Sequence, residues 1–223
     1  MKLFKYGITL ERLKEEDIEL VRLWRNSDPV RLNMKYRDLI SPEQQKQWFQ
    51  SINNFQNNFL LIHYKDEKIG LLNDKNVDWE ARTSESGIFF GIPAYYNTFV
   101  PYLVSVAGIE TTFFLLGWKK QFAHILHSNT NAIKFNLELG YQLCAGQEAI
   151  DHQQYEMTRE SFEQKAGKVR KAVQSLITDD SQTRILFEPD DYKNSVAQKF
   201  EALLNENPHS LKREETPEGV WYR

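Results

Sequence analysis

The sequence predicts an α/β fold in which a mixed, largely antiparallel sheet is flanked by helices. Strand-like and helix-like periodicities alternate along the N-terminal part of the chain. Three short strand-like segments follow one another over residues 58–92, as is typical of antiparallel neighbours. An apolar, helix-length segment over residues 99–118 then separates strand 85–92 from strand 122–127. Because strands joined through a helix pair in parallel, one parallel pair is expected inside the sheet.

The N-terminal segment predicts one strand followed by two helices. Residues 8–14 alternate between apolar and polar side chains, as a half-buried strand does. Residues 15–26 carry apolar side chains at helical spacing after an acidic first turn, which the helix dipole favours. The second helix is expected to begin at Ser41, a capping residue followed by Pro42 at the first helical position and by Gln44, which completes a capping box.

The middle of the chain predicts a hairpin, a helix and two closing strands. Residues 58–64 and 68–74 are strand-like and flank a short charged turn, which predicts an antiparallel hairpin. The helix after strand 122–127 is expected to end at Gly140, whose lack of a side chain suits a left-handed C-cap. The segments 141–146 and 154–162 indicate the two closing strands.

The C-terminal part is predicted as a mainly helical extension, residues 163–223, beside a main domain of residues 1–162. Apolar side chains recur at helical spacing in residues 162–177 and again in 192–204, and residues 183–189 suit a short strand. The chain then ends in what reads as a polar tail. The two apolar stripes need a surface to cover, either the main domain or a second copy in a homodimer.

Composition excludes several classes of function. The 223 residues carry a net charge of −3, and the pI is near 6.0, so there is no electrostatic footprint for nucleic acid or an anionic membrane. Cys144 is the only cysteine, which excludes a disulfide framework and a cysteine-based metal cage. His124 and His127 lie three apart on a predicted strand and face opposite sides, so no metal site is expected. The N-terminus lacks the apolar core of a signal peptide, which favours a cytoplasmic protein.

The apolar segment 99–118 is about as long as a bilayer span, near 20 residues. It contains Pro101, Gly108 and Glu110, and lysines flank only one of its ends. A helix that is apolar all round is also what a buried core helix looks like. We therefore expect a core helix here and no membrane span.

Two stretches resemble the GNAT superfamily of N-acyltransferases, and the resemblance covers about residues 8–160. In "SNTNAIKFNLELGY", Asn129, Ala132, Gly140 and Tyr141 fall on the family motif in register. The front half, "VRLWRNSDPVRLNM" and then "ISPEQQKQWFQSI", is similar to the branch that acetylates amino-sugar nucleotides and related small amines. The resemblance implies a GNAT-type sheet and acetyl-CoA-dependent N-acetylation of a small-molecule amine, with an amino-sugar nucleotide as the favoured acceptor. A protein N-terminus or a polyamine is the second choice of acceptor.

The resemblance also implies roles for individual residues. Glu85, where a strand edges the cleft, is the implied general base. Asn136 stands where family members commonly have a tyrosine that protonates the leaving thiolate, and its presence should slow the reaction without forbidding it, because a thiol has a pKa near 8.5. Acceptor binding is implied for Arg25, Asn26, Met34 and Tyr36, of which arginine suits a phosphate. Coenzyme binding is implied for Phe90, Gly91, Ile92, Asn97, Thr98, Phe99, Val100 and Asn129.

The segment that should hold the coenzyme pyrophosphate departs from the family. Helix N-termini bind phosphates through backbone N–H groups, and the family has a glycine-rich loop there. This chain has no glycine between Ile92 and Ala107, and Pro101 removes a donor. Two interpretations remain open. The segment "IPAYYNTFVPYLV" is either the wall of an atypical acyl-CoA pocket or a plug in a catalytically idle GNAT-like domain that binds a partner.

Overall fold

A computed structural model describes residues 1–177, 180–207 and 210–223. Within these residues the strands are β1 (Lys2–Lys5), β2 (Ile8–Arg12), β3 (Asn58–Tyr64), β4 (Glu67–Asp78), β5 (Thr83–Phe90), β6 (Lys120–Leu126), β7 (Gln142–Leu143), β8 (His152–Thr158), β9 (Arg184–Phe187), β10 (Arg213–Thr216) and β11 (Gly219–Tyr222). The helices are α1 (Ile18–Asn26), α2 (Asp28–Arg31), α3 (Pro42–Ile52), α4 (Val100–Glu110), α5 (Thr130–Leu139), α6 (Arg159–Lys165), α7 (Gly167–Leu176), α8 (Pro189–Lys193) and α9 (Val196–Glu206).

All the described strands join one sheet, in the spatial order β10-β11-β9-β1-β2-β3-β4-β5-β6-β8-β7. Neighbouring strands run antiparallel, except that β5 and β6 run parallel and are connected through α4. The predicted mixed, largely antiparallel sheet with a single parallel pair is therefore confirmed. The parallel pairing is short, running from Thr83 opposite Lys120 to Glu85 opposite Phe122.

Two apolar cores cover the two faces of the sheet. On one face, Leu61, Leu71 and Phe89 pack against α1 and α3. On the other face, alternate strand residues such as Leu72 and Phe90 pack against α4. The helix α4 is buried around its whole circumference, as the sequence predicts, and it continues into a π-helical turn over Thr111–Leu115. Among the described residues, no helix is long and apolar enough to cross a membrane.

Local turn and cap signals are confirmed. The β3–β4 hairpin turns through Lys65 and Asp66, with φ of +49° and +63°, and two positive φ angles match the right-handed twist of the strands. At the start of α3, the Gln44 N–H donates to Ser41 Oγ at 3.2 Å, and the Ser41 N–H donates to Gln44 Oε1 at 2.8 Å. Gly140 ends α5 in the left-handed conformation, with φ of +105°.

The C-terminal part contains strands as well as the predicted helices. The expected short strand is β9, which pairs with β1, and β11 pairs with β9. The prediction of a polar tail is wrong, because β10 and β11 form a hairpin that extends the sheet. The apolar face of α9, with Val196, Phe200 and Leu204, lies in the same core as α4. The division into two domains at residue 162 stays a prediction.

Candidate active site

The candidate site is the gap that opens where β5 and β6 separate. The two strands pair only as far as Glu85 and Phe122, and both continue beyond that point. Helices α4 and α5 begin beyond the same, C-terminal ends of the strands. The gap therefore has the exposed backbone edge of β5 on one side, β6 on the other and two helix N-termini at its open end.

The edge of β5 presents peptide groups to this gap. The Gly91 N–H donates to the Ile69 carbonyl at 2.9 Å, so it faces β4 and not the gap. Because N–H directions alternate along a strand, the peptide groups of Ile88 and Phe90 face the gap. The Phe90 N–H donates to the hydroxyl of Tyr96 at 3.2 Å, which places the Tyr96 hydroxyl at the gap edge.

The aromatic residues of the glycine-free segment point in different directions. The Tyr96 ring lies edge-on to the Phe90 ring, with centroids 5.6 Å apart. Tyr95 turns away, because its ring contacts Tyr64 and its hydroxyl donates to Glu67 at 2.9 Å. Phe99 is exposed. One of the three rings thus lies against the gap, and the other two leave it open.

The first turn of α4 has few free donors. The Val100 N–H donates to Thr98 Oγ1 at 3.2 Å, and the Tyr102 N–H donates to the Phe99 carbonyl at 3.0 Å. Pro101, between them, has no N–H. Asn97 is exposed at the preceding turn. This turn is consequently a poor phosphate site compared with a glycine-rich loop, whose N–H groups are free to converge.

Side chains bridge α4 and α5 beside the gap. The Tyr102 hydroxyl donates to Glu138 at 2.5 Å, and the Tyr102 and Phe135 rings lie 4.8 Å apart. Burial, together with the negative charge of Glu138, raises the pKa of Tyr102 to about 12. The phenol therefore remains a hydrogen-bond donor at neutral pH.

Two predicted site asparagines, one just before α5 and one within it, bond to the backbone of that helix. Asn129 Oδ1 accepts from the Ala132 N–H at 3.2 Å and caps the helix. Asn136 Nδ2 donates to the Ala132 carbonyl at 2.8 Å, so one of its donors is already occupied.

On the face of the sheet that α1 and α3 cover, Glu85 lies at the centre of a charged group. Its Oε1 contacts Lys75 Nζ at 2.8 Å and His124 Nδ1 at 3.1 Å, and its Oε2 accepts from Asn76 at 3.3 Å. Burial favours the neutral carboxyl, but Lys75 and His124 outweigh it and lower the pKa of Glu85. Glu85 is thus held as a carboxylate.

His124 also stacks on His152 of β8, with ring centroids 5.2 Å apart and planes 24° from parallel. Burial lowers the pKa of His152, and the proximity of His124 and Lys35 lowers it further. Sequence reasoning missed these two histidines as site residues. The signal was present, because His124 lies two residues after Phe122, the parallel partner of Glu85, and so shares its face.

Asp74 lies on the opposite face of the sheet, toward α4. Its Oδ1 accepts from Ser84 Oγ at 3.1 Å and from Gln121 Nε2 at 2.9 Å, and Ser84 in turn accepts from Trp118 Nε1. Burial raises the pKa of Asp74 to about 6. The hydrogen bonds tie the N-terminal ends of β5 and β6 together just below the point where they separate.

The predicted acceptor residues differ in what they can still bind. Asn26 makes two hydrogen bonds to the backbone of Ile40, at 2.9 and 2.8 Å, which occupy its amide. Met34 packs on the core beside α1, and Tyr36 is exposed. Arg25 has no hydrogen-bond or ion-pair partner among the described residues, and its Nε is buried. Burial lowers the pKa of Arg25.

A polar groove of about 440 Å³ adjoins Glu85. Its lining residues are Gln56, Asn57, Asn76, Val77, Asp78 and Trp79. The groove follows an irregularity in β4 between Lys75 and Asp78, where Asn76 adopts a positive φ of +52°. Bulges of this kind re-aim side chains, and here the Asn76 amide is directed at Glu85.

The sequence comparisons identify the family. The model of the family described as acetyltransferase (GNAT) domain matches residues 8–142, which is more than half of the chain. The chain therefore belongs to the GNAT acetyltransferases, for which acetyl-CoA is the acetyl donor. None of the curated proteins matches this sequence.

Solved structures share the fold at low identity. A domain from Methanocaldococcus jannaschii DSM 2661 is 20% identical, with a TM-score of 0.59, over 68% of this chain and 97% of the other. Spermidine N-acetyltransferase from Vibrio cholerae, in complex with CoA and spermine, is 14% identical, with a TM-score of 0.59, over 70% and 98%. An uncharacterized protein from Bacillus halodurans is 13% identical, with a TM-score of 0.64, over 78% and 97%. At these identities the likeness concerns the fold alone.

The residues of the gap fit acetyl-CoA in part. Peptide groups of Ile88 and Phe90 on an unpaired strand edge match the amides of a pantetheine arm, because each can form strand-like hydrogen bonds. The first turn of α4 is less suited to the pyrophosphate, for the reasons given above. Among the described residues, no group of three or more His, Cys, Asp or Glu could hold a metal ion.

Proposed function

We propose that this enzyme transfers an acetyl group from acetyl-CoA to the amine of a small molecule that also carries an anionic group, and an amino-sugar nucleotide is the favoured acceptor. The observation that carries this proposal is the guanidinium of Arg25, which has no partner in the described part of the chain and lies on the same face of the sheet as Glu85 and His124. A partly desolvated arginine without a carboxylate partner is suited to a phosphate or carboxylate of a ligand.

The acetyl donor would lie along the β5 edge, with its pantetheine arm on the peptide groups of Ile88 and Phe90. The Tyr96 hydroxyl must then leave the Phe90 N–H. One neutral hydrogen bond contributes about 0.5–1.5 kcal/mol, so its exchange weakens binding by about 2- to 12-fold. Tyr96 is 42% exposed, so its side chain borders solvent. The aromatic segment therefore weakens the pocket without closing it, which favours the active enzyme over an idle domain.

The charges beside the gap favour an anionic acceptor over a polyamine. Lys75, Lys35 and Arg25 are cationic, and Glu85 is already paired with Lys75. A polyamine carries several positive charges, and each would be repelled by these groups. The spermidine N-acetyltransferase from Vibrio cholerae shares the fold at 14% identity, which leaves the acceptor of this chain open.

The polar groove next to Glu85 supports a sugar as the body of the acceptor. Side-chain amides such as those of Gln56, Asn57 and Asn76 both donate and accept hydrogen bonds, as sugar hydroxyls require. Trp79 adds an apolar surface, against which a sugar ring can pack. A polyamine has neither hydroxyl groups nor a ring to use such a groove.

An acceptor panel tests this proposal. With acetyl-CoA, we expect amino-sugar nucleotides to be acetylated with a higher kcat/KM than polyamines or peptides with a free N-terminus. Arg25→Ala should raise KM for the nucleotide acceptor about 10- to 100-fold, the effect of losing one hydrogen bond to a charged group. Arg159→Ala is the matched control, because Arg159 is exposed and paired with Glu163 on α6. If Arg25→Ala has the same KM for the nucleotide acceptor as the wild type, or if the wild type prefers polyamines, the proposal of an anionic acceptor is contradicted.

A further inference from the structure

The geometry points to His124 as the group that accepts the proton of the attacking amine, with Glu85 as a positioning residue. The inference rests on the proposed acetyl transfer and changes the role that sequence reasoning gives to Glu85. It depends on the contact of 3.1 Å between His124 Nδ1 and Glu85 Oε1 and on the surroundings of both groups.

Glu85 is poorly suited to accept the proton itself. Its Oε1 is shared between Lys75 and His124, and its Oε2 accepts from Asn76, so both oxygens are occupied. The adjacent ammonium stabilises the carboxylate and weakens it as a base. The Glu85 side chain is 17% exposed and that of His124 is 28% exposed, so the imidazole is the more accessible to an acceptor.

The contact with Glu85 favours one tautomer of His124. A carboxylate can only accept, so a hydrogen on Nδ1 is favoured over a lone pair there, and the neutral ring then keeps its lone pair on Nε2. Among the described residues, none bonds to Nε2. A carboxylate that orients an imidazole in this way also stabilises the imidazolium formed when Nε2 takes a proton.

Other titratable groups near His124 affect the protonation of the His124–Glu85 pair. Lys75 of β4 and Lys35 of the loop after α2 add positive charge, and His152 of β8 stacks on the ring. Two stacked imidazoles do not both become charged. Because its own pKa is lowered, His152 stays neutral when His124 takes the proton. The flat contact also fixes the plane of the His124 ring.

Burial raises the pKa of Asp74 to about 6, but the position of Asp74 excludes it from this role. It lies on the α4 face of the sheet, behind Ser84 and Gln121, which both donate to it. Arg25, Lys75 and His124 lie on the opposite face. An amine held near Arg25 therefore reaches His124 and not Asp74.

In the reaction the amine nitrogen forms a bond to the acetyl carbon as the bond from that carbon to sulfur breaks. The electron pair leaves on sulfur, and the proton lost by nitrogen moves to His124 Nε2. Glu85 keeps its negative charge throughout and offsets the charge of the imidazolium. Solvent then removes the proton from His124 and protonates the thiolate, so no further reactant is needed.

The test compares pH–rate profiles of full-length variants with the best acceptor of the panel. We expect His124→Gln to lower kcat by about 10²–10⁴-fold, the usual contribution of a general base. The part of the acidic fall that reports the base should also be lost, so that only protonation of the acceptor amine lowers the rate there, and added imidazole should partly restore the rate of His124→Ala. Glu85→Gln should keep the fall, displaced to lower pH, because the imidazolium loses its counter-charge. Asp74→Asn should retain the fall unchanged.

A matched control and a measurement without turnover complete the design. His63 also contacts a glutamate, Glu11, at 3.2 Å, but it lies on β3 away from the gap, so His63→Gln should leave the rate profile unchanged. Nitrogen NMR of the free protein should show that the neutral His124 ring carries its hydrogen on Nδ1 and leaves Nε2 unprotonated. Loss of the acidic fall in Glu85→Gln but not in His124→Gln, or a neutral ring with its hydrogen on Nε2, would overturn the inference. If no amine is acetylated at all, the proposed function fails. The NMR result then still shows whether Glu85 orients the His124 ring as inferred.

Discussion

Replacing Glu110 by alanine is expected to lower the free energy of unfolding by about 3–5 kcal/mol, the usual effect of removing one partner from a buried ion pair. Glu110 lies in α4 with 5% of its side chain exposed. It contacts Lys5 Nζ at 2.9 Å and Arg170 Nε at 2.9 Å, and it accepts a hydrogen bond from the Tyr6 hydroxyl at 2.8 Å. The variant leaves these cations in a low-dielectric region without a counter-charge. Because β1 and α7 meet α4 through this carboxylate, the loss affects the whole core.

Chemical denaturation at neutral pH measures this effect, with Glu163→Ala as the control. Glu163 pairs with Arg159 on the surface, and exposed pairs contribute about 0–1 kcal/mol. The pH dependence gives a second check. Burial opposes ionisation of Glu110, but Lys5, Tyr6 and Arg170 outweigh it and lower the pKa of Glu110 in the folded state. Its stabilisation is therefore present above its unfolded pKa and lost as pH falls through the folded pKa. A Glu110→Gln variant should approach the wild type at acidic pH, and a constant difference would contradict this account.

Gly91→Ala is expected to destabilise the protein by about 1–3 kcal/mol, the usual range for overpacking a core. A Cβ at this position would lie 2.2 Å from Cγ and from Cδ2 of Trp24, so the indole ring must move. Trp24 is buried against the sheet and anchors the last turn of α1, where Arg25 lies. Displacement of that turn should therefore also raise KM for an anionic acceptor.

The coupling free energy between positions 91 and 24 shows whether contact with Trp24 causes the destabilisation by Gly91→Ala. In a Trp24→Leu background, Gly91→Ala should lose most of its destabilisation, because the smaller side chain leaves space for the methyl group. Gly167→Ala is the control, since a Cβ there meets no atom within 4 Å. Thermal denaturation of the single and double variants gives the coupling. Additive effects would show that the methyl group does not displace Trp24.

The parts of the fold that short-range rules govern were predictable. The Ser41–Gln44 capping box and the Gly140 cap each depend on a few adjacent residues, and the structure has both. The strand β10 was missed because its residues are mostly charged, and β11 was missed because it is only four residues long and becomes a strand through pairing with β9. The strand β1 was missed because it, too, is only four residues long, and it pairs with the distant β9 as well as with β2.

The candidate site was less predictable, because its geometry depends on register between distant strands. Glu85 was found through family position, but its contacts with Lys75 and His124 come from three different strands. Arg25 and Asn26 are adjacent in sequence and were given one role. In the structure the Asn26 amide is occupied by the Ile40 backbone, while Arg25 has no partner among the described residues. Propensity and spacing do not distinguish such neighbours.

Binding of acetyl-CoA along β5 is tested most directly by titrating the uniformly ¹⁵N-labelled protein with acetyl-CoA and following its amide resonances. We expect saturable shifts at Ile88 and Phe90, whose N–H groups face the gap, and smaller ones at Gly91, whose N–H remains bonded to Ile69. Tyr96→Phe should tighten binding about 2- to 12-fold, because the Phe90 N–H no longer has to exchange partners. Resonances of β5 that stay fixed at millimolar acetyl-CoA, with CoA and a longer acyl-CoA giving the same result, would contradict the acetyltransferase site described above.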